Sequence, residues 1–565
     1  MAVRPLLLLP SLLVLWSCGL DQSTPADARG GSELAGGDLR ERDSASPDAP
    51  TDAATDPWTP PDALLDLPPE AETRTDTVEV ADAVTDSAVD LDGELPPDSG
   101  VDTDVIADTG VDTGVDTAVD AAVDAVADVP EEVFSYAWEP DGPCGTAPYD
   151  WLPPTEVGGI VSWQPEPLGT LPASLIEQLL QEAGYPALIP VNYGTRVFRL
   201  RYLTQDHGVL TEATAMVGIP DVPPGEGTPL ETATILYLHP TLGFGNQCAL
   251  SGTLEGAAAA LLPATMGFIA VAPDYLGLCG TANPCEEVPH PYLVGEPTAL
   301  ASWDAVRAAH SLLGLIDPAP AVIPDGRVVP WGHSQGGHAA LFTDRYGPVY
   351  APEYTVPCVL SVVPPGDLAG QALLALDALD GAARLGTAFM IAAALWYDPP
   401  AGPESLFNAN GPKNYATWLP EVYPTTCNDS LFIQGATYID DLYAPSFLLQ
   451  VLSGGIESVD PWGCIALQNS IPHAAPPHLG TAPVLYLIAE NDELVDRDVE
   501  RAAVAELCAG GYAIDFLECS GGSHTGTAID TIGHQVSWLF ACLNGQGPSA
   551  QGLCVLDDPV DCSGP

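Results

Sequence analysis

Basic residues are scarce in this chain of 565 residues. Lysine and arginine together number 15 against 77 aspartate and glutamate residues, which gives a formal net charge of −62, and Lys413 is the only lysine. Binding to phosphate groups depends on clustered lysine and arginine side chains. The composition therefore argues against a nucleic-acid partner, and it argues equally against electrostatic docking on an anionic membrane surface.

The apolar run at the N-terminus is too short to span a bilayer as a mature helix. It extends from Leu6 to Leu15 and follows a single arginine, which is typical of a secretion signal over residues 1–18. The end of this segment, Leu15-Trp16-Ser17-Cys18, resembles the bacterial lipobox, in which the cysteine is acylated. We therefore expect a lipid anchor on Cys18; an ordinary signal peptide with an incidental cysteine is the alternative.

Residues 19–133 have hardly an aromatic side chain and are rich in Asp, Ala, Thr, Val and Pro. Between Val101 and Asp128 the sequence falls into a four-residue repeat, as in Val111-Asp-Thr-Gly. Such a segment repels itself and buries little apolar surface, so we predict a disordered stalk. A calcium-binding array is the rival interpretation, but the spacing lacks the loop pattern that calcium sites use.

The cysteine count supports an oxidising compartment. The chain has 13 cysteines, so an even number remains once Cys18 is set aside, as a disulfide framework of up to six bridges requires. Sequence alone does not give the connectivity. Plausible local pairs are Cys279 with Cys285, Cys508 with Cys519, and Cys542 with Cys554 or Cys562.

Hydrophobic periodicity from residue 136 onward predicts an α/β fold. The runs 195–203 and 212–219 read as an antiparallel hairpin, and alternating strands and helices follow. This order implies a mostly parallel sheet with helices on both faces. The stretch 367–478 interrupts the alternation with helical and proline-rich sequence, so we predict a cap inserted between two strands of a domain over 136–565. Strands are expected at 232–238, 267–273, 327–330, 359–363, 482–488 and 513–517, and helices at 297–315, 338–346 and 498–508.

The most informative motif is Gly332-x-Ser334-x-Gly336, which lies between a predicted strand and a predicted helix. A strand that reverses sharply into a helix leaves little room for a Cβ two residues to either side of the turn. This nucleophile-elbow pattern exposes the Ser334 hydroxyl and points the first N–H groups of the helix at an oxyanion. The motif therefore predicts acyl transfer.

A serine nucleophile needs a base and an acid that orients it. In a fold of this kind the acid follows a later strand and the histidine comes after it. Asp492 is the candidate acid, with Asp496 and Glu490 as alternatives. His524, in a glycine-rich loop after the last strand, is the candidate base; His534 competes but falls within a predicted helix.

Two N–H donors must stabilise the oxyanion. We expect one from the backbone of Gln335 and the other from the loop after strand 232–238. Pro240 has no N–H to donate, so Thr241 is the better candidate and Leu242 the second. His333 and His338 are not spaced as zinc ligands, and we expect neither a metal nor a cofactor.

From Asn192 to about Leu543 the chain resembles the α/β-hydrolase superfamily, and more narrowly the secretory lipase family first known from fungi and common in bacteria. The resemblance implies a triad of Ser334, Asp492 and His524 and a lid over residues 367–478. The segments that carry it are Phe198-Arg-Leu-Arg-Tyr-Leu-Thr-Gln-Asp206, Ala215-Met-Val-Gly-Ile-Pro220, Ala272-Pro-Asp-Tyr-Leu-Gly277, Asp304-Ala-Val-Arg-Ala308 and Gly332-His-Ser-Gln-Gly-Gly337.

These observations predict a serine carboxylic ester hydrolase, a lipase or esterase, at the bacterial cell envelope. It would be an outer-membrane lipoprotein or a secreted protein. An acyltransferase, a polyester depolymerase or a peptidase could use the same triad. A surface-binding protein on an inactive hydrolase scaffold is the alternative from another class. Neither the natural ester nor the oligomeric state follows from the sequence.

Overall fold

The computed structural model describes residues 135–182, 188–225, 227–280, 285, 288–547 and 552–562. The predicted signal segment 1–18, the anchor Cys18 and the whole of the predicted stalk, residues 19–133, lie outside the described residues, so these three remain predictions. Within the described ranges, no helix has both the length and the apolar composition needed to cross a membrane.

One mixed sheet of nine strands forms the centre of the described chain. Its strand order is β1-β2-β3-β5-β4-β6-β7-β8-β9. The first three strands and their junction with β5 are antiparallel, and the pairs from β5 through β9 are parallel. The strands are β1 (Ile160–Leu171), β2 (Thr195–Asp206), β3 (Val209–Pro220), β4 (Leu230–Leu238), β5 (Ile269–Pro273), β6 (Val322–His333), β7 (Val359–Val362), β8 (Pro483–Ala489) and β9 (Ala513–Cys519).

The antiparallel hairpin is confirmed, with β2 and β3 paired from Thr195 opposite Pro220 to Asp206 opposite Val209. Strand β1, an outer antiparallel strand that pairs with β2, was not predicted. Pro165 and Pro167 interrupt that segment and obscure its strand pattern. Proline is tolerated there because β1 is an edge strand, whose outward N–H groups need no partner in the sheet.

Helices cover the sheet on both faces, as predicted. They are α1 (Ala173–Glu182), α2 (Leu254–Met266), α3 (Gly295–Leu312), α4 (Gln335–Tyr350), α5 (Leu368–Ala375), α6 (Gly381–Tyr397), α7 (Tyr415–Val422), α8 (Ile439–Leu442), α9 (Pro445–Gly454), α10 (Trp462–Gln468), α11 (Arg497–Ala509), α12 (His524–Asp530) and α13 (Ile532–Leu543).

Alternate residues of the strands belong to two separate apolar cores. Leu236 and Leu238 of β4 pack in a core with α3, α4 and α11, whereas Ile235 and Tyr237 pack in a second core with α1, α2 and α13. Successive side chains of a strand point to opposite faces. The fold is therefore a three-layer α/β arrangement with the sheet buried between helices.

Helix α4 begins at Gln335, three residues earlier than its predicted start at His338. Gly336 and Gly337 concealed this first turn because glycine is a poor helix former. Strand β6 likewise begins at Val322 rather than Arg327, since Pro324, Asp325 and Gly326 resemble a turn in sequence. In both places tertiary packing overrides the local preference.

The cap segment, residues 367–478, lies between β7 and β8 and contains helices α5 to α10. It has an apolar core of its own, which includes Phe389, Trp462 and Tyr443. The core also takes in Phe244 and Tyr292, which belong to loops of the main domain. The cap is thus packed directly onto the loops at the carboxyl ends of the parallel strands.

Five disulfides are present among the described residues, and Cys279–Cys285 is confirmed. The pairing of Cys508 with Cys519 is wrong: Cys508 lies in α11, before β9 begins, and Cys519 is the last residue of that seven-residue strand, which at about 3.3 Å per residue is roughly 20 Å long. The pairing of Cys542 with Cys554 or Cys562 is also wrong. The C-terminal segment runs beside β9, where Cys554 is bridged to Cys508 and Cys562 to Cys519. The other bridges are Cys144–Cys464, Cys248–Cys427, Cys508–Cys554 and Cys519–Cys562.

A buried carboxylate, Glu500, connects the base of the cap to the sheet. Its side chain accepts hydrogen bonds from the Tyr486 hydroxyl at 2.5 Å, the Gln371 amide at 2.9 Å and the Gly366 backbone N–H at 3.1 Å. Gly366 directly precedes the cap segment, and Gln371 lies in its first helix, α5. Burial raises the pKa of Glu500 to about 7, although these donors oppose the rise.

The Glu500→Gln variant should have a flatter dependence of stability on pH. In the folded protein the Glu500 pKa of about 7 exceeds its ordinary value of 4.5, so its contribution is complete below pH 4.5 and is lost as the pH rises through 7. Between pH 5 and pH 8 the wild type should lose up to about 3 kcal/mol more unfolding free energy than the variant. Guanidinium unfolding at both pH values measures this, and equal losses in the two proteins would contradict it.

Candidate active site

Ser334 occupies the sharp turn between strand β6 and helix α4. Its backbone has φ 54° and ψ −120°, a left-handed conformation that costs energy for a residue with a Cβ. The backbone N–H of Ser334 donates to the carbonyl of Val362 on β7 at 2.9 Å, and its own carbonyl accepts from His338 at 3.1 Å. The strained turn is thus held from both neighbouring elements.

The two glycines of the motif are required by close backbone contacts. A Cβ on Gly332 would lie 2.1 Å from the carbonyl oxygen of Gly336, and a Cβ on Gly336 would lie 1.9 Å from that of Leu238. Both contacted oxygen atoms belong to the backbone, which cannot rotate away from an added Cβ as a side chain can. This packing brings the start of α4 against the end of β4, as the motif predicts.

Asp492 and His524 are in contact. His524 Nδ1 lies 2.9 Å and 2.8 Å from the two carboxylate oxygens of Asp492. Because an ionised carboxylate can only accept, Nδ1 carries the proton in this contact. The side chains are only 1% and 4% exposed. The same carboxylate also accepts from the backbone N–H groups of Leu494 and Val495, both at 2.9 Å, which fixes its orientation.

The other candidate acids have different partners. Glu490 accepts from the Gly521 N–H at 2.7 Å and from the Ser520 hydroxyl at 3.0 Å, and the Gly521 N–H is the main cause that lowers the pKa of Glu490. Asp496 caps helix α11 by accepting from two of its backbone N–H groups. Glu490 therefore positions the loop that precedes His524, and Asp496 stabilises a helix.

His524 is the first residue of the short helix α12, rather than a loop residue as its glycine-rich surroundings predict. Its backbone N–H donates to Glu493 at 3.1 Å, and the neighbouring Ser523 hydroxyl caps the helix. The competing candidate, His534, is exposed on α13. The loops that carry Asp492 and His524 are thus joined by backbone as well as side-chain contacts.

Ser334 and His524 line the same cavity, whose volume is about 90 Å³. The cap supplies most of the remaining walls, and nearly all of these side chains are apolar. They include Leu376, Leu385, Phe389 and Met390, with Tyr292 from the main domain. This apolar lining is suited to an apolar ligand.

Gln335 follows Ser334 directly and opens helix α4. Its side-chain amide is held at 2.9 Å by Nε2 of His290, whose Nδ1 lies 2.9 Å from the carbonyl of Leu276. A carbonyl can only accept, so Nδ1 carries the hydrogen and Nε2 accepts from Gln335. Burial lowers the pKa of His290 to about 3, which keeps this acceptor neutral. Sequence reasoning missed His290, since no motif marks it.

Thr241 lies three residues beyond the end of β4, at the same sheet edge as Ser334 because β4 and β6 are neighbours. Its hydroxyl is 2.9 Å from the hydroxyl of Tyr292, a residue that lines the cavity. The cap holds the loop after Thr241: the Phe244 N–H donates to Thr426 at 3.0 Å, and Cys248 is bridged to Cys427. Only tertiary structure could reveal this attachment.

The histidines that flank Ser334 have structural partners. His333 Nε2 is 3.1 Å from the side-chain oxygen of Gln535, and His338 Nε2 is 2.9 Å from the carbonyl of Asn469 at the end of the cap. Burial lowers the pKa of each histidine to about 4, so both are neutral near pH 7. No group of three His, Cys, Asp or Glu side chains in the described part of the chain is arranged to hold a metal ion.

The parallel sheet, the strained turn at Ser334 and the inserted cap together define the class of α/β proteins in which a loop site lies at the carboxyl ends of the strands. The chain matches the alpha/beta hydrolase family over residues 235–529, more than half of its length. It therefore belongs to the alpha/beta hydrolase family. None of the curated proteins matches it in sequence.

Solved structures of similar fold include the rice cell wall degrading esterase LipA from Xanthomonas oryzae. That match has 21% identity and a TM-score of 0.56, and it covers 69% of this chain and 99% of that one. Candida antarctica lipase A in its closed state is also similar, with 17% identity, a TM-score of 0.50 and coverage of 69% and 83% respectively. At these identities the likeness is one of fold.

Replacing Gly336 by alanine should destabilise the domain by about 3 kcal/mol or more, because the added Cβ meets the Leu238 carbonyl at 1.9 Å and neither backbone can retreat. The control is Gly314→Ala, where the nearest heavy atom to the new Cβ is 3.7 Å away. Guanidinium unfolding followed by tryptophan fluorescence compares the two variants. Equal stability of the two would show that the contact at Gly336 is not rigid.

Proposed function

We propose that this protein is a serine carboxylic ester hydrolase, a lipase or esterase, with Ser334 as nucleophile, His524 as base and Asp492 as the acid that orients the base. The observation that carries the proposal is the contact of His524 Nδ1 with both oxygens of Asp492, at 2.9 and 2.8 Å, beside a cavity that Ser334 also lines. With its proton on Nδ1, the imidazole carries its lone pair on Nε2, which is the nitrogen that would act as the base.

In the proposed reaction, His524 Nε2 removes the proton from the Ser334 hydroxyl as the oxygen attacks the ester carbonyl. The tetrahedral intermediate collapses when the imidazolium returns that proton to the leaving alcohol, which gives an acyl-enzyme. Water then attacks by the same route, and the acid is released. The nearly buried carboxylate of Asp492 stabilises the imidazolium during both steps.

The oxyanion would be stabilised by the backbone N–H of Gln335 and by that of Thr241. Two features support this assignment. Gln335 is the first residue of helix α4, where N–H groups have no partner within the helix. The Thr241 loop is attached to the cap by the Cys248–Cys427 disulfide and the Phe244 backbone, so a donor in it is held before the substrate arrives.

The walls of the cavity favour an ester with an apolar acyl group. The uncharged cavity walls include Leu376, Leu385, Phe389 and Met390. An acyl chain that packs against them would bury its apolar surface away from water, which is favourable. The names of the structural neighbours, one an esterase and one a lipase, agree with this substrate class. We infer a lipid-like ester rather than a charged substrate.

We further propose a location in the bacterial cell envelope or outside the cell. The five disulfides of the described chain are typical of an oxidising compartment. The signal-like residues 1–18 would direct export, an acyl chain on Cys18 would anchor the protein, and residues 19–133 would act as a spacer. Oligomerisation is not required for the proposed chemistry.

Ser334→Ala should reduce hydrolysis of p-nitrophenyl esters at least 1000-fold, because it removes the nucleophile. Asp492→Asn should lower kcat about 10,000-fold, because it disturbs the tautomer of His524. The matched control is Asp498→Asn, since the Asp498 side chain is 88% exposed; it should keep full turnover. Circular dichroism verifies that each variant folds. Full activity in Ser334→Ala would overturn the proposal.

A fluorophosphonate probe separates an enzyme from a binding protein on the same scaffold. Labelling of the wild type that disappears in Ser334→Ala indicates an activated serine, whereas an unlabelled wild type favours the binding protein. A panel of triglyceride, polyhydroxyalkanoate and peptide amide substrates then distinguishes a lipase from a polyester depolymerase or a peptidase.

Cys18→Ser should move the protein from the membrane fraction to the aqueous fraction of cells that process bacterial lipoproteins, because no acyl chain can then be attached. Immunoblots of the separated fractions measure this. Replacing the neighbouring Ser17 by alanine is the control and should leave the distribution unchanged. Membrane association that persists in Cys18→Ser would rule out anchoring through this residue.

A further inference from the structure

Two cysteines of the described chain, Cys358 and Cys542, are not bridged. Cys358 directly precedes strand β7 and is fully buried. Cys542 is half-buried near the end of helix α13. Every other described cysteine belongs to a disulfide, so this pair is the exception in a framework that is otherwise oxidised.

The two thiols are neighbours. Cys542 Sγ lies 3.5 Å from the carbonyl oxygen of Pro357, the residue before Cys358, and the proximity of Cys542 raises the pKa of the Cys358 thiol. Both side chains pack in the same apolar core, beside Trp538 and Leu539.

A second contact fixes the position of helix α13 at this point. The Arg327 guanidinium donates to the carbonyl of Leu543 at 3.3 Å. The backbone of Arg327 also forms an isolated parallel β-bridge with Thr355, three residues before Cys358. The end of α13 is thus held against the start of β7 by backbone and side-chain contacts on either side of the thiols.

We infer that Cys358 and Cys542 form a sixth disulfide in the mature protein. The bridge is a covalent modification of the folded domain that is independent of the proposed ester chemistry. It would join the strand that leads into the cap to the helix that follows α12. It would therefore enclose a long section of chain that contains the whole cap segment and both Asp492 and His524.

The oxidation needs a disulfide-bearing oxidoreductase or an equivalent oxidised dithiol as co-reactant. One thiolate attacks the carrier disulfide and releases one carrier thiol; the second cysteine then attacks the mixed disulfide and releases the other. Two protons and two electrons leave the protein, and the carrier disulfide is reduced to two thiols. Cys542 is suited to the first attack, because its contact with Cys358 lowers its pKa and it is the less buried of the two.

The bridge lies away from the candidate active site. Cys358 precedes the first residue of β7. The backbone N–H of Ser334, by contrast, donates a hydrogen bond to the carbonyl of Val362, the last residue of that strand. At about 3.3 Å per residue, the four steps from Cys358 to Val362 span roughly 13 Å. Its loss should consequently affect stability, while ester hydrolysis by the folded protein stays within about twofold of wild type.

Peptide mapping of the unreduced full-length protein, secreted through an oxidising compartment, tests the inference directly. Free thiols are first blocked with iodoacetamide in guanidinium, and pepsin is then used at acidic pH, where disulfide exchange is suppressed because thiolates are protonated. The expected result is a cross-linked peptide containing Cys358 and Cys542. Recovery of both residues alkylated, or bridged to other cysteines, would overturn the inference.

Thiol counting provides a second measurement that does not depend on digestion. Denatured Cys18→Ser protein should contain no free thiol, and adding Cys358→Ala should expose one, that of Cys542. The matched control is Cys279→Ala added to Cys18→Ser, which should expose one thiol at Cys285, since those two residues are bridged. Two thiols in the Cys18→Ser parent would contradict the sixth bridge, whatever its effect on activity.

Discussion

The close approach of helix α4 to strand β4 is the constraint on which the candidate site depends. Gly336 has no room for a Cβ because the carbonyl of Leu238 would be 1.9 Å away. The contact places the first turn of α4, which begins at Gln335, beside the end of β4, which the loop that carries Thr241 follows. Sheet order makes this geometry available, since β4 and β6 are hydrogen-bonded neighbours.

Attachment of the cap to the main domain determines how enclosed this site is. Cys144–Cys464 and Cys248–Cys427 bridge the cap to the N-terminal segment and to the Thr241 loop, and Glu500 connects its base to β8 and α11. A cap fastened at several points cannot separate from the domain as one unit.

Some of the few arginines pair with buried carboxylates, although the chain as a whole is strongly acidic. Arg307 pairs with buried Asp304 and with Glu353, and Arg501 pairs with the buried carboxylate of Glu518. Such pairs offset the cost of burying a carboxylate. The remaining negative charge repels anionic molecules, whereas the cavity beside Ser334 is apolar, which is consistent with a neutral, lipid-like ester.

Sequence patterns were enough to predict the features that depend on neighbouring residues: the glycine-flanked turn at Ser334, the β2–β3 hairpin, the alternation of strands and helices, and the strand ends that carry Asp492 and His524. Tertiary structure alone decided which of several acids meets the imidazole, which cysteines pair and which loop the cap holds. Local patterns report backbone preferences over a few residues. Contacts such as Cys248 with Cys427, or His290 with Gln335, join residues far apart in the chain, and only the packed sheet and cap bring them together.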